Sequence, residues 1–492
     1  MKRIVLYVIV WVATGLTAFA QNPTEILRYS QLRPGGTARG LGVGGAFGAL
    51  GADYTGIGIN PGGLGVFRRS DVSLGLGFQY TSSETDLSGN VSESSRFRAN
   101  LPNASIVISR LHVDGRGNRR KGNWIATNFA FGFNRLANFN ARSVFTNSQS
   151  SNSLLNHYRD ELQAGGLTED NINYDNFSTG SVLAYNSYLL NPVGAAGTDY
   201  VAVTDGNLVN QQMSLTRRGG IDEMSFAMGA NYNDKFYFGM LIGIPFLSYD
   251  ENLSARESDD ADVIPAFNTY SFTQTLKARG TGINAKMGFV VRAAKWMRLG
   301  ASFHTPTRYK MTENYYTEIV SNIDTLPNNK NFSSGDFAYK LSTPWRAIAS
   351  AAFLVKTYGF LSVDYEYSNF NMAKYNFGSF ESAENALNKD VKNYLRPIHT
   401  IRAGGEVALK HWRLRAGFAH STSPLEKAQV VDGRDLASNT YSGGAGYKGE
   451  RWYIDLAYYR TTTNGTATIS PYIQAAEKLK FDNYVMTVGF NF

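Results

Sequence analysis

Residues 483–492 repeat with a period of two. Phe492, Phe490, Val488, Met486 and Tyr484 are large and apolar, and Asn491, Gly489, Thr487 and Val485 alternate with them. Successive side chains of a strand point to opposite faces, so this segment is expected to be a strand with one apolar face. Left unpaired in water, an edge strand ending on Phe-Asn-Phe is an aggregation hazard. In a closed barrel it pairs with the first strand, no edge remains, and its apolar face meets lipid. Phe492, Phe490, Val488 and Met486 are then expected to point outward, and Thr487 and Gly489 inward.

Composition fits a barrel and excludes several other classes. The 492 residues are 43% hydrophobic, yet the mean hydropathy is -0.26. Lumen-facing polar residues dilute a lipid face in this way. No run of about 18 apolar residues occurs, so no spanning helix is expected. The 29 Tyr, 30 Phe and 49 Gly suit aromatic girdles around closely packed strands. Without cysteine there is no disulfide, thiolate metal site or cysteine-linked lipid. Residues 1–20 have a basic start, an apolar core at 4–12 and an Ala18-Phe19-Ala20 cleavage site, the pattern of a secretory signal peptide. Export argues against a nucleic-acid partner, and the net charge of +8 is spread along the chain.

Glycine is densest at 35–65, where Gly36-Thr37-Ala38-Arg39-Gly40-Leu41-Gly42-Val43-Gly44-Gly45-Ala46-Phe47-Gly48-Ala49-Leu50-Gly51-Ala52-Asp53 precedes Asn60-Pro61-Gly62-Gly63-Leu64-Gly65. No Gly-Lys-Ser/Thr follows, which excludes a P-loop. So much glycine suits a tightly turning segment that passes close to other backbone. This run resembles the N-terminal region of the FadL/OmpP1/TodX family, outer-membrane transporters of long-chain fatty acids and other hydrophobic compounds, in a form similar to its Bacteroidetes branch. The resemblance implies a hatch at 21–69 plugging a barrel at 70–492, with Gly44, Gly45, Phe47, Asn60, Pro61 and Gly62 as hatch or gating residues. Where the family has Asn-Pro-Ala, this chain has Asn60-Pro61-Gly62, a change of one methyl. Other landmarks of the family resemble Trp296-Met297-Arg298-Leu299-Gly300-Ala301-Ser302-Phe303, Thr343-Pro344-Trp345-Arg346 and Arg413-Leu414-Arg415-Ala416-Gly417-Phe418. Release in that family is lateral, through a kinked third strand, which places the weak points here at Gly132 and Asn134.

Alternating segments number fourteen, at 71–82, 100–113, 123–140, 221–233, 235–256, 270–292, 295–318, 337–355, 357–374, 398–409, 411–423, 438–449, 450–463 and 481–492. The expected fold class is all-β, a transmembrane antiparallel β-barrel of about 14 strands with an N-terminal hatch in its lumen. Short junctions at Asn233-Asp234, Ala294-Lys295, Lys356-Thr357, Lys410-His411 and Lys448-Gly449, with a longer one at 114–122, alternate with polar stretches at 82–99, 141–220, 257–269, 319–336, 375–397, 424–437 and 464–480. Periplasmic turns and external loops of a barrel segregate in this manner.

Parity then separates the faces. With Leu361, Val363, Tyr365, Ile401, Ala403, Val407, Trp412, Leu414, Phe418, Ile454, Leu456 and Tyr458 toward lipid, the lumen receives Arg346, Asp364, Glu366, Arg402, Glu406, Arg413, Arg415 and Asp455. Lys286, Arg298 and His304 join them. These charges suit a salt-bridge network that holds the hatch, or a ligand-carboxylate site at Arg402, Arg413 or Arg415. The six histidines are scattered, and neither H-E-x-x-H nor G-x-S-x-G occurs. Ser302 and His304 share a strand face without a third group, so no catalytic site, metal or cofactor is expected.

At 141–220, Leu154, Leu155 and Tyr158, then Leu183, Tyr185 and Tyr188, recur at helical spacing. They form either a lid or an external groove that captures hydrophobic ligand. The function expected is passive uptake of hydrophobic small molecules, such as fatty acids or aromatic hydrocarbons, by a monomer in the cell outer membrane. The alternative is a surface adhesin or structural barrel, which needs no plug. Phe490 and Phe492 resemble the terminal signal by which the barrel-assembly machinery recognises its clients. Deleting Phe492 should lower membrane insertion while synthesis continues, as read from folded and unfolded bands on an unheated gel; an unchanged folded fraction refutes the signal.

Overall fold

The computed structural model describes residues 22–112, 123–378 and 380–492. The leader at 1–20 and the turn at 114–122 lie outside the described residues. Fourteen antiparallel strands close into one barrel. The first three are β1 (Asp71–Leu87), β2 (Asn90–Asn100 and Asn103–Leu111) and β3 (Trp124–Asn138 and Ala141–Ser150). Next come β4 (Val209–Tyr232), β5 (Phe236–Ser258), β6 (Phe267–Ala294) and β7 (Met297–His304 and Arg308–Ile323). They are followed by β8 (Leu326–Ser342 and Arg346–Val355), β9 (Gly359–Ser368 and Lys374–Asn376), β10 (Ile398–Leu409) and β11 (Trp412–Ser421). The last are β12 (Ser438–Lys448), β13 (Trp452–Ser470) and β14 (Ile473–Asn491). β14 returns to β1 in register from Asp71↔Asn491 to Asp86↔Ala476, so the C-terminal strand closes the wall.

The two faces separate by parity along every stave. Val488 and Leu456 are 43% and 53% exposed, whereas Thr487 and Asp455 beside them are 0% and 3% exposed. The exposed apolar side forms a belt that only hydrocarbon can cover at this density. Tight turns of the same kind close hairpins at both ends. Asn233 and Asp234 both have positive φ in a two-residue hairpin, as do Ser88 and Gly89 at the opposite end.

Several stretches expected as polar loops are strand. Residues 82–99, 319–336 and 464–480 are the far ends of β1–β2, β7–β8 and β13–β14, paired up to Leu87↔Asn90, Ile323↔Leu326 and Ser470↔Ile473. β4 likewise begins at Val209 rather than near 221. Above the lipid only scattered inner residues such as Leu87, Ile319 and Ile473 stay apolar, against the lid, so alternation fades while the backbone ladder continues. The longest true excursion, 151–208, folds over the mouth. It carries α4 (Leu154–Gly165), α5 (Thr179–Asn186) and a small hairpin of Leu190–Val193 with Asp199–Ala202. Glu257 of β5 accepts from the Ser153 hydroxyl and, at 2.8 Å, from the Leu154 amide. Across the mouth, Tyr472 donates to Asp160 at 2.6 Å and Ser321 to the Ser187 carbonyl at 2.9 Å.

Leu456, paired with Met486 at the middle of the belt, offers a direct test of the lipid face. Leu456→Arg should lower barrel stability by about 2–4 kcal/mol in urea unfolding from lipid vesicles; an unchanged midpoint would mean that this face does not meet hydrocarbon.

Candidate functional site

The N-terminal segment lies inside the barrel and is held by wall groups that face inward. α1 (Pro23–Ser30) starts on the Asn22 side chain, which accepts from the Thr24 and Glu25 amides. α2 (Ala38–Gly42) and α3 (Tyr54–Ile59) are stitched together by Asp53, which caps α3 through the Thr55 amide and accepts from Thr37 at 2.9 Å. The Asn60-Pro61-Gly62 turn docks on the wall. Asn60 Nδ2 donates to the carbonyls of Gly48 at 2.7 Å and Phe289 at 3.0 Å, while its Oδ1 accepts from the Gly62 amide. A Cβ on Gly62 would sit 2.7 Å from the Phe289 Cα. The methyl that separates this turn from Asn-Pro-Ala has no room here.

Most of the charges expected in the lumen hold one another or the hatch. Asp364 accepts from the Phe47 and Gly48 amides, both at 3.0 Å. Arg415 donates to Glu406 and to Asp455, each at 2.6 Å, and Arg39 of α2 reaches Glu406 at 3.1 Å. Arg402 meets Glu366 at 2.6 Å, and Arg346 lies 3.7 Å from Glu366 while donating to the Ser30 carbonyl at 2.9 Å. Seven of the eight wall charges expected in the lumen are joined in this way. Arg413 is not; it bonds the carbonyls of Lys410 and Trp412 at the turn between β10 and β11. Ser302 and His304 both bond the Ile59 carbonyl at 2.8 Å, so they hold the hatch rather than form a nucleophile and base. Phe47 is fully buried with its edge toward Phe360, and positive φ at Gly44 and Gly45 turns the chain beside Phe418 and Pro34.

Above the hatch is a cavity of about 790 Å³, within the range of small-molecule sites. Its lining is amphipathic and not the apolar pocket that hydrophobic cargo suggests. Leu27, Leu136, Phe139, Tyr249 and Phe481 face Arg33, Arg217, Arg402 and the threonines of β12 and β13. Below it, between hatch and wall, lies a space of only about 50 Å³. Arg33 is exposed to the cavity beside the Phe481 ring, at 5.7 Å, and has no carboxylate partner among the described residues. Arg402 keeps one buried nitrogen, Nη1, without a hydrogen bond.

The backbone ladder of the cavity wall is interrupted between β2 and β3. β2 breaks at Leu101-Pro102 and β3 at Phe139-Asn140. Below the breaks β2 and β3 pair from Leu111↔Ala126 to Asn103↔Asn134; above them the Asn90–Asn100 part of β2 has no ladder to β3. Asn100, Pro102, Phe139 and Ala141 line the cavity at this seam. Gly132 and Asn134, the weak points expected from the resemblance, are fully laddered to both neighbours. The break falls instead where Pro102 removes a donor.

The lid faces are closed. Leu154, Leu155, Tyr158 and Leu183 pack with Phe145, Phe272 and Ile319 in one buried core, Tyr185 is partly buried against it, and Tyr188 alone of the six is exposed, at 57%. They form no open groove, because each helix buries its apolar face against the other and against Phe145, Phe272 and Ile319 of the strands. Three participants escaped sequence reading: Arg39, Arg33 and Glu223, which meets Lys286 at 2.6 Å. Arg39 carried a signal, since the single cation of the glycine-rich run at 35–65 needs an acid once it is enclosed.

Gly62→Ala should loosen the hatch by about 1–3 kcal/mol through overpacking. The expected result is faster proteolysis within 22–69 while the barrel keeps its heat-modifiable mobility; unchanged protection would show that the turn does not rest on Phe289.

No family model matches the chain, and no curated protein matches it. Solved structures do. A Pseudomonas aeruginosa FadL homologue aligns over 94% of this chain and 99% of its own, with 12% identity and a TM-score of 0.54. The P. putida toluene transporter TodX aligns over 93% of this chain and 99% of its own, again with 12% identity and a TM-score of 0.54. At this identity the likeness concerns architecture, and the chain has the fold of these channels: a closed 14-strand barrel with an N-terminal plug.

Proposed function

We propose that the protein is a passive outer-membrane transporter for hydrophobic small molecules that carry a polar end, long-chain fatty acids above all. The observation that carries this reading is the cavity between lid and hatch, which reaches the unzipped seam of β2 and β3. Cargo enters past the lid and rests with its chain along Leu27, Leu136 and Phe139. Its head group faces Arg33 and the free nitrogen of Arg402. Guanidinium forks suit a carboxylate. Arg415, saturated by two acids, serves as an anchor. The tight space below the hatch favours a sideways exit through the seam into the membrane. The toluene transport named for TodX supports the hydrophobic class, while the arginines favour an acid over a bare hydrocarbon. An adhesin has no use for a plug or an enclosed cavity, which supports transport over that alternative. A monomer delivered by the barrel-assembly machinery suffices for each step.

The seam permits a reversible test in a chain without cysteine. Ser92 and Thr146 touch across it, with hydroxyls 2.9 Å apart. Cells producing Ser92→Cys/Thr146→Cys should take up labelled oleate as wild type when reduced and far more slowly when oxidised. Equal uptake in both states rules out the lateral exit; no gain over cells lacking the protein rules out transport.

A further inference from the structure

The same seam holds four arginines that the transport reading does not use. Arg96 and Arg98 lie on β2, cross-strand from Thr81 and Gln79. Their parity puts them on the face opposite Phe97 and Tyr80, which point outward. Beyond its break β3 turns inward and slides behind this face. Ser94 donates to the Arg142 carbonyl, Thr85 to that of Val144, and Thr81 to that of Asn140 at 2.8 Å. Arg142 sits on the side of β3 opposite the buried Ser143 and Phe145, paired with Thr216, and Arg218 follows two residues along β4. Arg142 and Arg218 thus face Arg96 and Arg98 across a slot, and Arg98, Arg142 and Arg218 are the charges that act on Arg96.

None of the four forms an ion pair among the described residues. The nearest acids are already engaged. Asp222 is held by both forks of Arg135 at 2.8 Å, and Asp250, across from Arg218, by Arg279 at 2.7 Å. Glu93 points to the other face of β2, opposite Glu84. The Nε of Arg96 is buried with no hydrogen-bond partner. Four like charges gathered at an unpaired strand edge are repulsive unless an anion joins them.

We propose that this slot binds the phosphate headgroup of a membrane lipid. The surface below it argues for a lipid over a free anion. Phe97, stacked on Phe78 at 5.9 Å, marks the head of the lipid belt, and Leu101, Ile106 and Ile108 continue the exposed apolar stripe down β2. Acyl chains lie on the stripe while the phosphate accepts from guanidinium groups in the slot. A bound headgroup bridges the two unzipped edges and seals the seam without a backbone ladder. The site is separate from the cavity and does not depend on the transport reading.

The test is native mass spectrometry of the full-length protein released from non-ionic detergent, titrated with dioleoyl phosphatidic acid. Dioleoyl phosphatidylcholine, oleate and inorganic phosphate are the comparison arms. Phosphatidic acid should bind at least about tenfold more tightly than phosphatidylcholine, with oleate and phosphate far weaker. R96Q/R98Q/R142Q/R218Q should lose that preference and unfold at higher temperature than wild type in lipid-free detergent, because the repulsion is gone. K374Q, on β9 and outside the slot, should bind as wild type. If the quadruple variant fails to insert, R98Q/R142Q should still show a several-fold loss. Unchanged binding in either variant overturns the site. Oleate binding as tightly as phosphatidic acid would make the slot a cargo exit, and phosphate alone binding as tightly would remove the lipid; both overturn the proposal.

Discussion

Every backbone amide and carbonyl in hydrocarbon must find a partner within the protein, and most of this structure follows from that requirement. The ladder between β1 and β14 removes the last free edge. Interruptions elsewhere are repaired locally. β7 and β8 break side by side at Pro306 and Pro344, and the wall stays shut because Thr307 and Thr343 exchange bonds, amide to carbonyl and amide to hydroxyl, both at 3.0 Å. At Pro102 the carbonyl still accepts from the Arg135 amide at 3.0 Å, but no ladder between β2 and β3 continues above it. There β3 moves inward, and hydroxyls of β1 and β2 satisfy its carbonyls in place of amides. Side-chain bonds separate more readily than a ladder, which gives the barrel one weak seam.

The plug is governed by the same economy of polar groups. Its turns are too glycine-rich to form regular structure, so their amides and carbonyls are completed by side chains of the wall and of the plug itself: Asp364 for Phe47 and Gly48, Ser302 and His304 for Ile59, and Asn60 for Gly48, the last also reaching the Phe289 carbonyl of the wall. Buried ion pairs add little net stability, but each strongly penalises removal of one partner. The chain Arg39–Glu406–Arg415–Asp455 therefore acts chiefly to set where α2 sits against β10, β11 and β13.

Much of the barrel was legible because lipid imposes a strict period. Leu361, Val363, Ile401, Leu414 and Leu456 alternate with Asp364, Arg402, Arg415 and Asp455 without an exception, and the structure puts each on the expected side. The hairpin tips at 82–99, 319–336 and 464–480 were not legible, since only scattered residues such as Leu87, Ile319 and Ile473 turn inward against the lid and polar neighbours dilute them. The apolar spacing of Leu154, Tyr158 and Leu183 announced helices but not what their faces cover, which proved to be one another together with Phe145, Phe272 and Ile319 of the strands. Pro102 could have marked the break in β2; Gly132 drew attention to the wrong end of β3.

Sequence alone determined the strand count, the outward and inward faces, the closing role of residues 483–492 and the presence of a glycine-rich plug. The faces and the closing strand follow from local period, the strand count from repeating that period along the chain, and the plug from the family resemblance of residues 36–65. Tertiary structure alone decided which wall charges meet the hatch, why Gly62 cannot carry a methyl, where the wall unzips, and that Arg96, Arg98, Arg142 and Arg218 share one slot. Those facts join residues tens to hundreds of positions apart, and only barrel closure, which sets the register between staves, brings them together.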